Sequence, residues 1–247
     1  MLTLIADVDD TVCPSTRPIS PALAREIDRL VSGGCAFAFI SGSTIPQISA
    51  QITPFLTVPH HLLGASGTHY VRVDRAEGKA SPVEVYRLEF SPEERAEILR
   101  AFEALIEKYA IRSLTDKADQ LQDRSSQITL SAVGRHAPEA AKRALDPDGV
   151  KRREWVGFLR GLLGDKYSLR VGGTTSIDVT PAGVDKAWGI RRFLKENGLR
   201  ASECLFFGDK LGPGGNDAPA LEVVDCLEVR GPDHTLEILS RFKTGAR

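Results

Sequence analysis

The 247-residue chain has no excess of either charge: 32 Lys and Arg face 33 Asp and Glu, a formal net charge of −1. Such a balance gives no electrostatic reason to expect a nucleic-acid or anionic-membrane partner. No apolar run approaches the ~20 residues that span a bilayer. Cysteine is scarce, and the four present (Cys13, Cys35, Cys204, Cys226) show no CxxC spacing. They are expected to be reduced thiols of a cytoplasmic protein, neither a disulfide framework nor a zinc site. The histidines (His60, His61, His69, His136, His234) lack metal-ligand spacing and are expected in ordinary surface or loop roles, with His136, beside Arg135, the one to reconsider. The apolar start of the chain lacks a basic flank and stops at Asp7, so no secretory signal is expected. There is no internal repeat and no low-complexity tract.

The chain does have globular balance, with 42% hydrophobic and 26% charged residues. Leu2–Ala6, Cys35–Ile40 and 61–65 read as buried parallel strands, separated by helices that begin at Ser20-Pro21 and at about 44. Strand–helix alternation of this kind predicts a parallel sheet with helices on both faces. The middle differs. Val83–Phe90 alternates apolar and polar residues, Ser91-Pro92-Glu93-Glu94 opens a helix with a capping box, and 126–133 and 167–171 read as exposed strands. Between those strands, 148–163 reads as an amphipathic helix whose basic run Lys151-Arg152-Arg153 forms a solvated face, with Trp155 as a packing residue. The α/β rhythm resumes with a helix at 185–197, strands at 203–207 and 225–229, and a last helix at 233–243. The expected organisation is an α/β, Rossmann-like core over 1–80 and 184–247, with an inserted α+β domain over 81–183.

Four elements carry chemistry. Asp7-Val8-Asp9-Asp10-Thr11 follows the first strand, where ligands bind such sheets. Two carboxylates two residues apart can share a hard cation and divide nucleophilic from acid/base work. Ser41 and Gly42 follow the second strand, where a hydroxyl and loop N–H groups can hold a phosphate, although Ser-Gly is also a common turn. Lys186 lies just inside a helix, where a cation opposes the helix dipole and so points to a nearby anion. Asp209, Asn216 and Asp217 bracket a Gly-rich loop and supply oxygen ligands suited to Mg2+.

In this order the four elements resemble the haloacid dehalogenase (HAD) superfamily of phosphohydrolases and phosphotransferases, and the inserted domain resembles that superfamily's large α+β cap. Closer still is the resemblance to the eukaryotic-type phosphomannomutases. It is carried by the run Gly208–Asp217, by Gly172-Gly173-Thr174-Thr175-Ser176-Ile177-Asp178 through Asp185-Lys186, and by Arg124 with Val133-Gly134-Arg135. The resemblance implies that Arg124, Arg135, Ser176 and Asp178 hold the distal phosphate and sugar hydroxyls, with Lys142 or Arg143 nearest to a further family arginine. The plain alternative is that the two arginines pair with surface carboxylates such as Asp123 and Glu139. The chain departs from those mutases at Ser41 and Asp10, where they usually carry glycine; serine is the ordinary residue of the superfamily's phosphatases at the first of these.

The expected activity is Mg2+-dependent hydrolysis of a sugar phosphate or related small metabolite through an aspartyl-phosphate. Asp7 is the nucleophile, Asp9 the acid/base, and Ser41 and Lys186 bind the phosphoryl group. Asp7, Asp9, Asp209, Asn216 and Asp217 are the metal ligands. The alternatives are a phosphomannomutase that interconverts hexose 1- and 6-phosphates, and a non-catalytic phospho-acceptor or ligand-binding module. Monomer and cap-mediated homodimer both stand as expectations.

Overall fold

The computed structural model describes residues 2–242, so the expected end of the last helix at 243 lies outside the described residues. In chain order the elements are β1 (Thr3–Asp7), α1 (Pro21–Ser32), β2 (Ala36–Ile40), α2 (Ile45–Ile52), β3 (His60–Gly64), β4 (His69–Ala76), β5 (Lys79–Arg87), α3 (Pro92–Lys108), α4 (Lys117–Gln120), β6 (Leu121–Asp123), β7 (Ile128–Ser131), α5 (Glu139–Leu145), α6 (Val150–Leu163), β8 (Tyr167–Gly172), β9 (Ser176–Pro181), α7 (Lys186–Asn197), β10 (Cys204–Gly208), β11 (Asp225–Glu228) and α8 (Pro232–Ser240). Among the described residues no helix is long and apolar enough to cross a membrane. The four cysteines are free thiols.

The chain divides into two compact units, Met1–Arg87 with Asp185–Arg247, and Leu88–Val184. The first is an α/β unit around a seven-stranded sheet of order β11-β10-β1-β2-β3-β4-β5. Every residue of β1 is buried, as its unbroken apolar run requires of a strand covered on both faces. Ser20 caps α1 by accepting the Leu23 N–H at 3.3 Å, and Leu23, Ala24, Ile27 and Leu30 form its buried stripe. β1 runs parallel to both β10 and β2. Since β2 follows β1 directly and β10 comes late in the chain, strand order reverses at β1. Ligands collect at the carboxyl end of such a reversal point.

One strand differs from expectation. Of the alternating run expected over 83–90 as part of the insertion, residues 83–87 lie in β5, which pairs antiparallel with β4 at the edge of the large sheet, while 88–90 begin the second unit. Alternation predicts a half-exposed antiparallel strand but not its partner. The partner is set by the turn at Glu77-Gly78, where both residues have positive φ (50° and 75°) and close a hairpin.

The second unit is α+β, with a four-stranded antiparallel sheet of order β6-β7-β9-β8. One face of the sheet presents Ile128, Leu130, Ile177 and Val179 to Ile98, Phe102 and Leu105 of α3 and to Trp155, Leu159 and Leu163 of α6. The alternate residues Thr129, Ser131, Ser176 and Asp178 share the other face. The basic run of α6 is corrected here: Arg152 is buried, not solvated.

Candidate active site

Asp7 ends β1 opposite Ile40, so Ser41 leaves the sheet beside it, and Asp209 follows directly after β10. The parallel register alone brings these three residues to one edge of the first unit. Asp7 and Lys186 are 5% and 3% exposed, and Asp217 is fully buried. Lys186 occupies the first turn of α7, whose N-terminus Asp185 caps by accepting the Trp188 N–H at 2.9 Å. Its Nζ donates to Oδ1 of Asp7 and to Oδ1 of Asp217. Burial raises the Asp7 carboxyl above the usual carboxylate range; Lys186 pulls it back and the neighbouring Asp217 adds to the rise. Burial opposes a charged Lys186, yet Asp7 and Asp217 together hold its ammonium firmly protonated.

One carboxylate oxygen each from Asp7, Asp209 and Asp217 lies within 4.8 Å of the others. The loop after β10 is built around Asp217: its N–H donates to the Lys210 carbonyl at 3.2 Å, and its Oδ2 accepts the Lys210 N–H at 3.0 Å. Gly208 leaves the space that this needs, since a Cβ there would lie 2.6 Å from Asp217 Oδ2. Thr11 Oγ1 donates to Asp209 at 3.5 Å and Lys210 Nζ at 2.7 Å. The oxygen-only donor set fits a hard divalent cation such as Mg2+. Asn216, also expected as a ligand, is exposed one residue before Asp217.

Asp9 stands half-buried, with its Oδ1 accepting the Thr16 N–H at 2.8 Å and Gln51 Nε2 at 3.3 Å. Asp10 has φ of 61°, the left-handed conformation in which glycine is the easy occupant. Ser41 is buried, and its Oγ accepts the Ser43 N–H at 3.0 Å across Gly42. Gln51 and Thr235 are contributors that the sequence did not single out. Thr235, from α8, donates to the Thr11 carbonyl at 2.7 Å and so ties the last helix to the Asp7–Thr11 loop. The signal for Gln51 was its place on the buried stripe of α2, beside Ile48 and Ile52.

The second unit gathers another polar group of residues. Ser176 pairs with Ser131 and Asp178 with Thr129 across β7 and β9, so Ser176 and Asp178 share one sheet face as their spacing predicts. Thr129 Oγ1 donates to Asp178 at 2.6 Å. Arg124 Nη2 donates to Gln122 Oε1 at 2.6 Å. Burial depresses the Arg124 guanidinium, the Asp178 carboxylate opposes that shift, and the like charge of Arg135 adds to it. The carboxylates weighed as surface partners are engaged elsewhere: Asp123 pairs with Arg95 and Glu139 with Arg143. Arg135 sits in a loop held by Asp119, whose main-chain carbonyl accepts the Arg135 N–H at 3.2 Å and whose carboxylate accepts the His136 N–H at 2.9 Å. Burial opposes ionisation of Asp119, but hydrogen bonds from Thr115 and His136 hold its carboxyl down to about 2.

The family model of the eukaryotic phosphomannomutases matches residues 105–243. The phosphomannomutase of Saccharomyces cerevisiae is 26% identical over 253 residues, covering 97% of this chain and 93% of that protein. The phosphomannomutase of Arabidopsis thaliana is 25% identical over 246 residues, covering 93% and 92%. Among solved structures, Plasmodium falciparum IMP-nucleotidase superposes with a TM-score of 0.69 at 15% identity, covering 98% of this chain and 69% of that one. SMU.1108c from Streptococcus mutans superposes with a TM-score of 0.67 at 13% identity, covering 96% and 97%. At these identities the superpositions establish a shared α/β fold and nothing finer.

Proposed function

The chain belongs to the eukaryotic phosphomannomutase family and is an enzyme of its phosphotransferase type; from that premise we propose that it hydrolyses a sugar phosphate through an aspartyl-phosphate at Asp7. The observation that carries the proposal is the buried ion-paired set Asp7–Lys186–Asp217 at the carboxyl end of β1, with Ser41 on the adjacent strand end. A carboxylate held beside a fixed cation is placed to attack phosphorus while that cation receives a phosphoryl oxygen.

In the first step Asp7 Oδ forms a bond to phosphorus as the bond from phosphorus to the sugar oxygen breaks. Asp9 gives its proton to the departing oxygen, then takes one from the water that attacks the aspartyl-phosphate. That attack releases phosphate and restores the Asp7 carboxylate. Ser41, Gly42 and Lys186 bind the equatorial oxygens, so that positioning and electrostatics carry most of the rate. Asp7, the Asp9 main-chain carbonyl and Asp209, with the 216–217 segment, are the residues that would hold Mg2+. Bound there, the cation neutralises charge on the transferring group. Arg124, Arg135, Ser176 and Asp178 bind the sugar and a second anionic group; guanidinium forks suit phosphate and a carboxylate suits vicinal hydroxyls.

The family match supports a second reading, in which a flipped hexose phosphate replaces water as acceptor and the product is an isomer, not phosphate. Ser41, a hydroxyl where those mutases usually carry glycine, favours hydrolysis. The family match sets aside the non-catalytic alternative. One preparation assayed for phosphate release and for hexose 1-phosphate/6-phosphate interconversion decides between the first two. Phosphate release alone supports hydrolysis, interconversion without release overturns it, and neither activity on any hexose phosphate would remove the sugar-phosphate assignment.

A further inference from the structure

The segment Gly172–Thr175, which leads into Ser176 and Asp178, is held from outside its own sheet by one buried side chain. Arg152 projects from the first turn of α6, and Asp146 precedes that helix. Their side chains are 6% and 0% exposed. Asp146 serves the open end of α6, where Gly149 offers no capping side chain: its Oδ1 accepts the Lys151 N–H at 3.0 Å and its Oδ2 the Arg152 N–H at 3.1 Å. The same carboxylate accepts Arg152 Nε at 2.8 Å. The guanidinium then reaches across the unit, and its Nη1 donates to the Gly172 carbonyl at 3.0 Å and to the Gly173 carbonyl at 2.8 Å.

Those two carbonyls belong to a turn with little latitude. Gly173 has φ of 45°. A Cβ on Gly172 would lie 2.8 Å from Oδ2 of Asp178, so the Gly172 backbone forms a wall against that carboxylate. On its far side the turn is fixed by the Ala132 N–H donating to the Thr175 carbonyl at 3.1 Å.

We infer that Arg152, anchored by Asp146, is a positioning residue that sets the placement of Ser176 and Asp178 by clamping the Gly172-Gly173 turn. The inference rests on the substrate-binding role proposed for those two residues. A fully buried ion pair is a poor way to gain stability alone, because desolvation offsets most of the attraction. A rigid fork that satisfies two adjacent carbonyls at once holds a backbone in register, which Lys cannot copy.

Two variants test it. Arg152→Lys keeps the charge but not the fork. The double variant Asp146→Leu/Arg152→Met removes both charges together and so avoids leaving one buried and unpaired. In each, the KM for mannose 1-phosphate is expected to rise about tenfold or more, as misplacement of a binding group does, with p-nitrophenyl phosphate turnover within about twofold of the parent. Amide hydrogen exchange at 173–176 is expected to speed up while α3 keeps its protection. A purely structural role would lower thermal stability and leave the KM ratio between the two substrates unchanged; that result overturns the inference. If the parent turns over no sugar phosphate, the functional reading fails, and the exchange measurement still decides. Faster exchange confined to 173–176 sustains the clamp, and unchanged exchange there refutes it.

Discussion

Gln51 donates through Nε2 to Oδ1 of Asp9 at 3.3 Å, and through the same nitrogen to the Arg17 carbonyl at 3.1 Å. With the Thr16 N–H on the same Oδ1, the carboxylate has one oxygen held from two directions. In the proposed mechanism the other oxygen is the one that transfers the proton. Gln51→Met keeps the buried volume and removes the donor. Its effect should depend on the leaving group: an alkyl phosphate, whose alkoxide must be protonated as it departs, is expected to lose about tenfold or more in kcat, as a weakened general acid does. p-Nitrophenolate departs without that help, so p-nitrophenyl phosphate should lose little. Parallel losses on both substrates would show that Gln51 only supports α2.

Asp7→Asn is expected to abolish turnover without unfolding the chain, because an amide keeps the volume but cannot form the acyl phosphate. The variant also leaves Lys186 with Asp217 as its remaining carboxylate partner. Thermal unfolding and activity measured on one preparation check both halves of the statement. Turnover near the parent level would exclude Asp7 as the nucleophile.

The oxygen-only cluster of Asp7, Asp209 and Asp217 leads to a metal prediction with a direct readout. Titration calorimetry should detect Mg2+ binding to the parent and lose it in Asp209→Asn, and EDTA should remove activity that Mg2+ then restores. Mn2+ is expected to substitute, while Ca2+, with its looser coordination, should bind without supporting turnover. Full activity in excess chelator would contradict the cation's place in the site.

How much of this was legible in the sequence depends on whether a residue's role is local. Asp7 ends a strand, Ser41 and Asp209 each follow one, and Lys186 opens a helix; those boundaries are local features, and they were enough to name the members of the candidate site. Gln51 and Arg152 act across tertiary contacts, yet both left a trace. Gln51 falls on the buried stripe with Ile48 and Ile52. Arg152 lies on the stripe of Trp155, Leu159 and Leu163, while Lys151 and Arg153 on either side point away from it. A long polar side chain on the apolar face of a helix must find a buried partner. Reading 151–153 as one basic run hid that periodicity. The sheet membership of β5 depended on the Glu77-Gly78 turn, which alternation over 83–90 could not report.

His60 gives a pH prediction whose sign can be worked out. Its Nδ1–H donates to the Val58 carbonyl at 3.0 Å, and Nε2 accepts from Thr53 Oγ1 at 3.1 Å, itself the acceptor of Ser49 Oγ. The network uses the neutral ring, and burial lowers its pKa to about 4. Between that value and the ordinary value near 6.5, the unfolded chain binds a proton that the folded one does not. Stability is therefore present above about pH 6.5 and lost as pH falls toward 4. The contribution of His60 between pH 7 and pH 5 is about 2 kcal/mol. His60→Gln should lower stability at pH 7 and flatten its decline on acidification, as urea unfolding at the two pH values will show. An equally steep decline in the variant would move the effect elsewhere; His61, also lowered to about 4 by burial, is then the first alternative.

Arg135→Ala tests the substrate class. Arg135 lies in a loop whose backbone Asp119 and Gly134 hold independently of its side chain: the Arg135 N–H donates to the Asp119 carbonyl, and Gly134 has φ of 97° with Thr115 where a Cβ would stand. Removing the guanidinium should therefore leave the loop in place. A charge-assisted contact to a bound phosphate contributes on the order of 2–3 kcal/mol. The kcat/KM for a hexose bisphosphate, whose second phosphate supplies that anion, is then expected to fall roughly 30- to 150-fold. p-Nitrophenyl phosphate has no second anion and no hydroxyls to bind, so its turnover should change little. Lys142→Ala is the matching control for Arg143→Ala: Arg143 is paired with Glu139 on the surface and its loss should be silent, whereas a fall on the sugar phosphate alone for Lys142→Ala would make Lys142 the third cation of the group. Equal losses on both substrates for Arg135→Ala would instead mark a structural arginine and leave the sugar-phosphate reading without a residue to recognise its distal anion.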